Sequence, residues 1–234
     1  MSDTREAIQR RSWEMNADAW TCAVREQHIP SRRAGTDAAI LRACERVGGR
    51  RVLDVGCGEG WLSRLLSDAA VSSGKREVLG IDASDGLITR ARGSATGGPR
   101  YEVMTYDDVV QHPTLVAGPF DLIVCNFALL GDAVAPLLAA LAMRLAPSAH
   151  VLVQTVHPWT AVGDAAYANG WREERFHGFG VHFPAEMPWF FRTLASWHAE
   201  LFAAGLVVTS IDEPMHPDTE RPLSLLLTCV RNTV

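Results

Sequence analysis

The chain has 234 residues, 47% of them apolar and 21% charged, with a net charge of −5. It is long enough for one α/β domain with a substantial core, and its acidity argues against a nucleic-acid or anionic-membrane binder, which needs a basic surface. The five cysteines are scattered without a CxxC pair, and no signal peptide or membrane span is legible, so a cytoplasmic protein with reduced thiols is expected.

The first segment, 4–27, is expected to be helical, because Ile8, Trp13, Ala17, Trp20 and Val24 recur near helical spacing. A second helix is expected over 36–47, with Thr36 as N-cap and Gly48-Gly49 as a stop. Residues 1–49 thus form a helical cap. Strand and helix then alternate. RVLDV is a strand and 61–71 a helix; EVLGID is a strand and 84–92 a helix. YEVMTY and FDLIVCNF are the next strands, with a helix over 133–145 after the second. HVLVQTV follows. Residues 158–191 lose periodicity and are rich in aromatics, which suggests an insertion, either a lid over an apolar acceptor or a satellite core. A helix over 193–204 ends at Gly205. LVVTSI and SLLLTCV close the chain, and the loop between them is too short for a crossover helix, so they are expected to be antiparallel. The pattern predicts one α/β domain: a Rossmann-like, doubly wound, seven-stranded sheet, mostly parallel with the last strand antiparallel, and helices on both faces.

The sequence VLDVGCGEG follows a strand and opens a helix. Gly56, Gly58 and Gly60 let the backbone turn sharply and approach a ligand closely. A dinucleotide loop would need glycine where Trp61 stands, and a P-loop would need Lys after Gly60. Asp54 and Glu59 would repel a pyrophosphate. Asp82 ends the neighbouring strand, where a carboxylate can accept bonds from both hydroxyls of a ribose. A nucleoside with a cationic tail fits this set of groups.

With GIDAS, MTYDDV and FDLIVCNFALL following in order, the chain resembles the class I S-adenosylmethionine-dependent methyltransferases, in the flavour of the ubiquinone and menaquinone biosynthetic methylases. The resemblance implies S-adenosylmethionine as methyl donor. It implies that Gly56, Gly58 and Gly60 line the donor and that Asp54 helps hold its amino group. Asp82 would bind the ribose with Ala83 and Ser84 beside the adenine, and Tyr106 and Asp107 at the adenine edge. Asn126 and Phe127 would face the donor, and Trp20 and Arg33 are candidates for a covering wall.

The function this implies is methyl transfer to a small apolar or aromatic acceptor, with no nucleic-acid or membrane partner. Where the acceptor must lose a proton, His157 at the end of the fifth strand is the first candidate base and His216 in the last hairpin loop the second. The acids around His216 read as solvated, and no metal is expected. Two other readings remain open: a donor-binding regulatory or partner subunit without catalysis, and a nicotinamide-dependent oxidoreductase, against which Trp61 counts.

Overall fold

The computed structural model describes residues 4–71, 74–95 and 97–232. Its centre is a seven-stranded sheet. The strands are β1 (Arg51–Val55), β2 (Glu77–Asp82), β3 (Arg100–Val103), β4 (Phe120–Asn126), β5 (Leu145–Val156), β6 (Leu206–Asp212) and β7 (Ser224–Arg231). Their spatial order is β6-β7-β5-β4-β1-β2-β3. β1 pairs in parallel with β2 and β4, and β2 with β3 and β4 with β5 are parallel too. β7 alone runs against its neighbours β5 and β6. This is the expected Rossmann-like architecture.

The alternation of strand side chains builds two cores. Val52, Leu122, Val124, Leu152 and Leu226 face α3 (Asp37–Val47) and α4 (Trp61–Asp68). Leu53, Val55, Ile123, Val151 and Val153 face α6 (Tyr106–Gln111), α7 (Ala135–Ala142) and α9 (Leu194–Ala203). Alternation along β1 places Asp54 on the α4 face beside Val52, where it meets Ser63 of α4. Between these helices, α5 (Asp85–Gly93) follows β2, and α8 (Pro158–Val162) follows β5.

The amino-terminal helix divides into α1 (Arg5–Met15) and α2 (Ala17–Arg25) at Asn16. Asn16 Nδ2 donates to the Ala185 carbonyl and its Oδ1 accepts from the Ala185 N–H, so the break docks the cap onto the insertion. Thr36 does not cap α3. A turn over Arg32–Thr36, kinked at Gly35 where φ is 154°, leads into that helix, and the Thr36 side chain makes no cap bond. The expected YEVMTY strand ends early, at Val103. Thr105 and Asp108 form a reciprocal capping box that starts α6 at Tyr106, and this local pattern wins over the apolar run. The insertion contains an antiparallel hairpin, Gly170–Glu174 with Met187–Phe191.

Candidate functional site

Parallel strands deliver their carboxyl ends to one edge of the sheet, where ligands bind in such folds. At that edge Gly56, Gly58 and Gly60 have φ of 68°, 57° and 84°. At two of these positions packing also requires glycine. A Cβ at Gly56 would lie 2.5 Å from the Ala128 Cβ, and one at Gly60 would lie 2.5 Å from the Tyr101 hydroxyl. The Gly56 and Cys57 N–H groups bond the Ile81 carbonyl at 2.8 and 3.0 Å, which ties the loop to the end of β2.

Asp82 stands beside this loop. Its carboxylate accepts the Gly58 N–H at 3.0 Å and the Ser84 N–H at 2.9 Å. Burial pushes its pKa up, and the Ser84 and Gly58 N–H groups pull against that shift. Asp54 is fully enclosed. Its carboxylate accepts the Ser63 hydroxyl at 2.6 Å, and burial raises its pKa to about 6. A buried carboxylate with a raised pKa, near a second carboxylate, is a site that favours a cation. Glu59 does not add to that field. Although fully buried, it is held at 2.9 Å by both Arg25 and Arg64, so its charge is matched within the protein. Contrary to the expectation from sequence, Glu59 presents no unmatched charge to a ligand at the loop.

Ser84 N-caps α5 through the Leu87 N–H and donates to Glu14 at 2.6 Å; Ala83 lies between it and Asp82. Tyr106, the first residue of α6, donates its hydroxyl to the Ala128 carbonyl at 3.0 Å, and burial keeps that hydroxyl protonated. Asp107 is exposed in the first turn of α6, beside the capping Asp108. Asn126 ends β4 with its Oδ1 buried and without a partner. Phe127 leaves the strand at a φ of 53°, and its N–H is held by the Gln154 carbonyl at 2.7 Å.

Above the loop, a Cβ at Gly58 would lie 3.4 Å from Trp20 Nε1. Trp20 packs on Trp13 with ring centroids 5.1 Å apart and on Phe179 at 6.3 Å. Phe176 and Phe183 stack at 4.1 Å beneath them. One half of the aromatic insertion therefore forms a satellite core with α1 and α2, directly over the glycine loop. Arg33 is exposed and donates to the Gln27 carbonyl at 2.6 Å, so the structure does not bring it to the loop. Its neighbour Arg32 instead grips Asp37 and covers the Trp61 ring at 4.3 Å.

The two histidines are placed differently from expectation. His157 is the N-cap of α8. Its Nδ1 accepts the Trp159 N–H at 3.2 Å, so the ring proton sits on Nε2, which lies 2.7 Å from the Glu213 carboxylate. Both nitrogens are engaged, and the geometry is that of a structural cap rather than a free base. His216 accepts the Asp218 and Thr219 N–H groups in its own loop. Asp212 is paired with Arg46, so the acids of that loop do not converge. Among the described residues the ligand atoms that do converge belong to Cys22, Glu26 and His28, within 4.8 Å of one another.

This geometry has close parallels. Residues 52–148 match the methyltransferase domain family. A crystal structure of an S-adenosylmethionine-dependent methyltransferase from Mesorhizobium loti is 25% identical, covers 85% of this chain and 99% of its own, and superposes with a TM-score of 0.62. Residues 52–148 thus match a methyltransferase domain, within a fold shared with S-adenosylmethionine-dependent methyltransferases. Magnesium protoporphyrin IX methyltransferase from Synechocystis PCC 6803, crystallised with S-adenosylhomocysteine, shares the fold of the domain at 19% identity. It covers 97% of this chain and all (100%) of its own, with a TM-score of 0.65. A curated relative, the tRNA1(Val) (adenine(37)-N6)-methyltransferase of Aeromonas hydrophila, is 32% identical over 96 residues, 40% of this chain. The match spans 39% of that relative's length. Among the described residues, no helix is long and apolar enough to cross a membrane.

Proposed function

We propose that the chain transfers a methyl group from S-adenosylmethionine to a small acceptor with an apolar or aromatic body. The observation that carries this reading is Asp82. Its carboxylate is already oriented by two backbone N–H groups at the mouth of a glycine loop, under the Trp20 ring. Gly56, Gly58 and Gly60 admit the donor's backbone-facing side. Asp54 and Asp82 supply the negative field for its cationic end and its ribose. Ala83, Ser84, Tyr106 and Asp107 border the adenine, and Asn126 and Phe127 border the methyl-bearing sulfur.

The acceptor's nucleophilic atom, an oxygen already deprotonated or a neutral amine nitrogen that loses its proton to water on release, attacks the methyl carbon in line. The carbon–sulfur bond breaks, its electron pair stays on sulfur, and S-adenosylhomocysteine leaves. Because both His157 nitrogens are occupied, the chain contributes alignment and exclusion of water rather than a histidine base; alignment alone can lower such barriers by on the order of 7–11 kcal/mol at best. The net charge of −5 and the aromatic cover support a small acceptor over a nucleic acid. The Aeromonas relative favours a second reading, methylation of tRNA.

Calorimetry with S-adenosylmethionine, S-adenosylhomocysteine and NAD, followed by mass detection of products from phenols, quinols, amines and tRNA, tests the proposal. Tight NAD binding without donor binding sinks it. Donor binding without any methylated product supports a regulatory subunit, and methylated tRNA supports the second reading.

A further inference from the structure

Arg192 follows the hairpin strand Met187–Phe191 and is only 2% exposed. Its Nη2 donates to the Gly131 carbonyl at 2.6 Å. Its Nε and Nη1 are buried and have no hydrogen-bond partner. No carboxylate lies within 4.0 Å of it among the described residues; Glu200 and Asp132 are its nearest acidic influences. The Phe190 and Trp197 rings sit 4.9 and 5.1 Å from the guanidinium carbon and hold the cation in place without satisfying its N–H groups.

A guanidinium stays charged even when buried. Burying it with a single acceptor for its five N–H groups is among the costlier arrangements a fold can hold, and a site that keeps one is poised for an anion from outside. Arg192 lines a cavity of about 10 Å³ together with Leu129, Thr155, Val156, Pro158, Trp189 and Trp197. That is space for one water-sized group, so it suits the end of a ligand and not its body. The cavity continues from the segment after β4. Ala128 in that segment abuts Gly56, and Leu130 accepts the Phe190 N–H at 2.8 Å. It therefore borders the side of the donor site toward which β4 and β5 point.

We propose that Arg192 anchors an oxyanion of the methyl acceptor, a carboxylate on a small aromatic or apolar body. This rests on the methyltransferase reading for the word acceptor, while the anion site stands on Arg192 itself. A carboxylate suits the slot better than a phosphate, because it is planar, singly charged and needs less desolvation. A carboxylate paired to a guanidinium among apolar walls is a weak nucleophile. It is a handle, and the methyl goes to another atom.

The test is titration of the whole chain with benzoate, its neutral counterpart benzamide, and phenylphosphonate, read by calorimetry and by the fluorescence of the tryptophans beside Arg192. The wild-type chain is expected to prefer benzoate to benzamide by about tenfold or more, the scale of a hydrogen bond to a charged group. R192M is expected to lose that preference, and R192K to keep part of it. Unchanged S-adenosylhomocysteine affinity in both variants shows that the fold survives; if R192M is unfolded, R192K and R192Q carry the comparison. Equal binding of benzoate and benzamide to the wild type, or an undiminished preference in R192M, overturns the proposal. Tighter binding of phenylphosphonate than of benzoate overturns the carboxylate assignment. The titration is run with and without S-adenosylhomocysteine. Failure of the wild type to bind S-adenosylhomocysteine counts against the methyltransferase reading, while the donor-free titration still decides the anion site.

Discussion

The two sides of the site differ in how completely their polar groups are satisfied. On the glycine-loop side, Asp82 holds two N–H groups, Asp54 holds a hydroxyl, and Glu59 is neutralised by two arginines. On the side of β4 and the hairpin, Asn126 Oδ1 and two nitrogens of Arg192 are buried with nothing bonded to them. Satisfied polar groups rigidify a structure, whereas unsatisfied ones cost stability and are retained where a ligand completes them. In the proposed function the first side is the receptor for the donor, and the second keeps its bonding capacity for the acceptor.

The strongest way to break the finished side is through its backbone. Gly60→Ala places a Cβ 2.5 Å from the Tyr101 hydroxyl at a φ of 84°. The expected loss is on the order of 2–4 kcal/mol in urea unfolding, with donor binding lost in the same variant. A stable, donor-binding Gly60→Ala would show the loop to be adaptable.

Asp54 offers a pH test of nearly the same size. Its pKa is raised to about 6 in the folded chain from an ordinary 3.8. Between those values the folded state holds the proton more tightly than the unfolded state does. Stability therefore falls as pH rises from about 4 through about 6, by on the order of 3 kcal/mol at full effect. Asp54→Asn should flatten that slope in thermal melts across the range. Donor affinity should run the opposite way in the parent, rising with pH as the carboxylate ionises. A slope unchanged in Asp54→Asn would assign it to other groups.

Asp82→Ala should weaken donor binding by about 1.5–3 kcal/mol, the scale for bonds to a charged partner, while the sheet stays folded. Calorimetry showing unaltered affinity would detach Asp82 from the donor. The smallest effect is expected at His157. As the cap of α8, His157→Ala should cost about 1 kcal/mol of stability, and His157→Asn, which can still cap, should lose less and keep turnover. A fall in turnover of about 10²–10⁴ in His157→Asn, with His216→Ala unaffected, would return the ring to proton transfer.

Sequence patterns carried the elements that depend on near neighbours. Alternating apolar strands and periodic helices announced the parallel sheet, and the short last loop announced the reversed strand. The YEVMTY strand was overextended because an apolar run and a capping box overlap there, and only the formed Thr105–Asp108 bonds show which prevails. The surroundings of the candidate base His157 escape the sequence for a different reason: its partner Glu213, the residue after β6, lies 56 positions away along the chain.

By itself the sequence determined the glycine loop, the acid at the end of β2 and the succession of strands and helices along the chain, because glycine's conformational freedom and side-chain periodicity act over a few residues. Only the tertiary structure decided which charges are spent and which remain open. Glu59 meets Arg25 from a helix of the amino-terminal cap, and Arg192 is buried by a hairpin against the segment after β4, beyond reach of any carboxylate among the described residues. Charge pairing and desolvation are set by what packs against a side chain in space, and contacts between distant segments leave no local pattern to read.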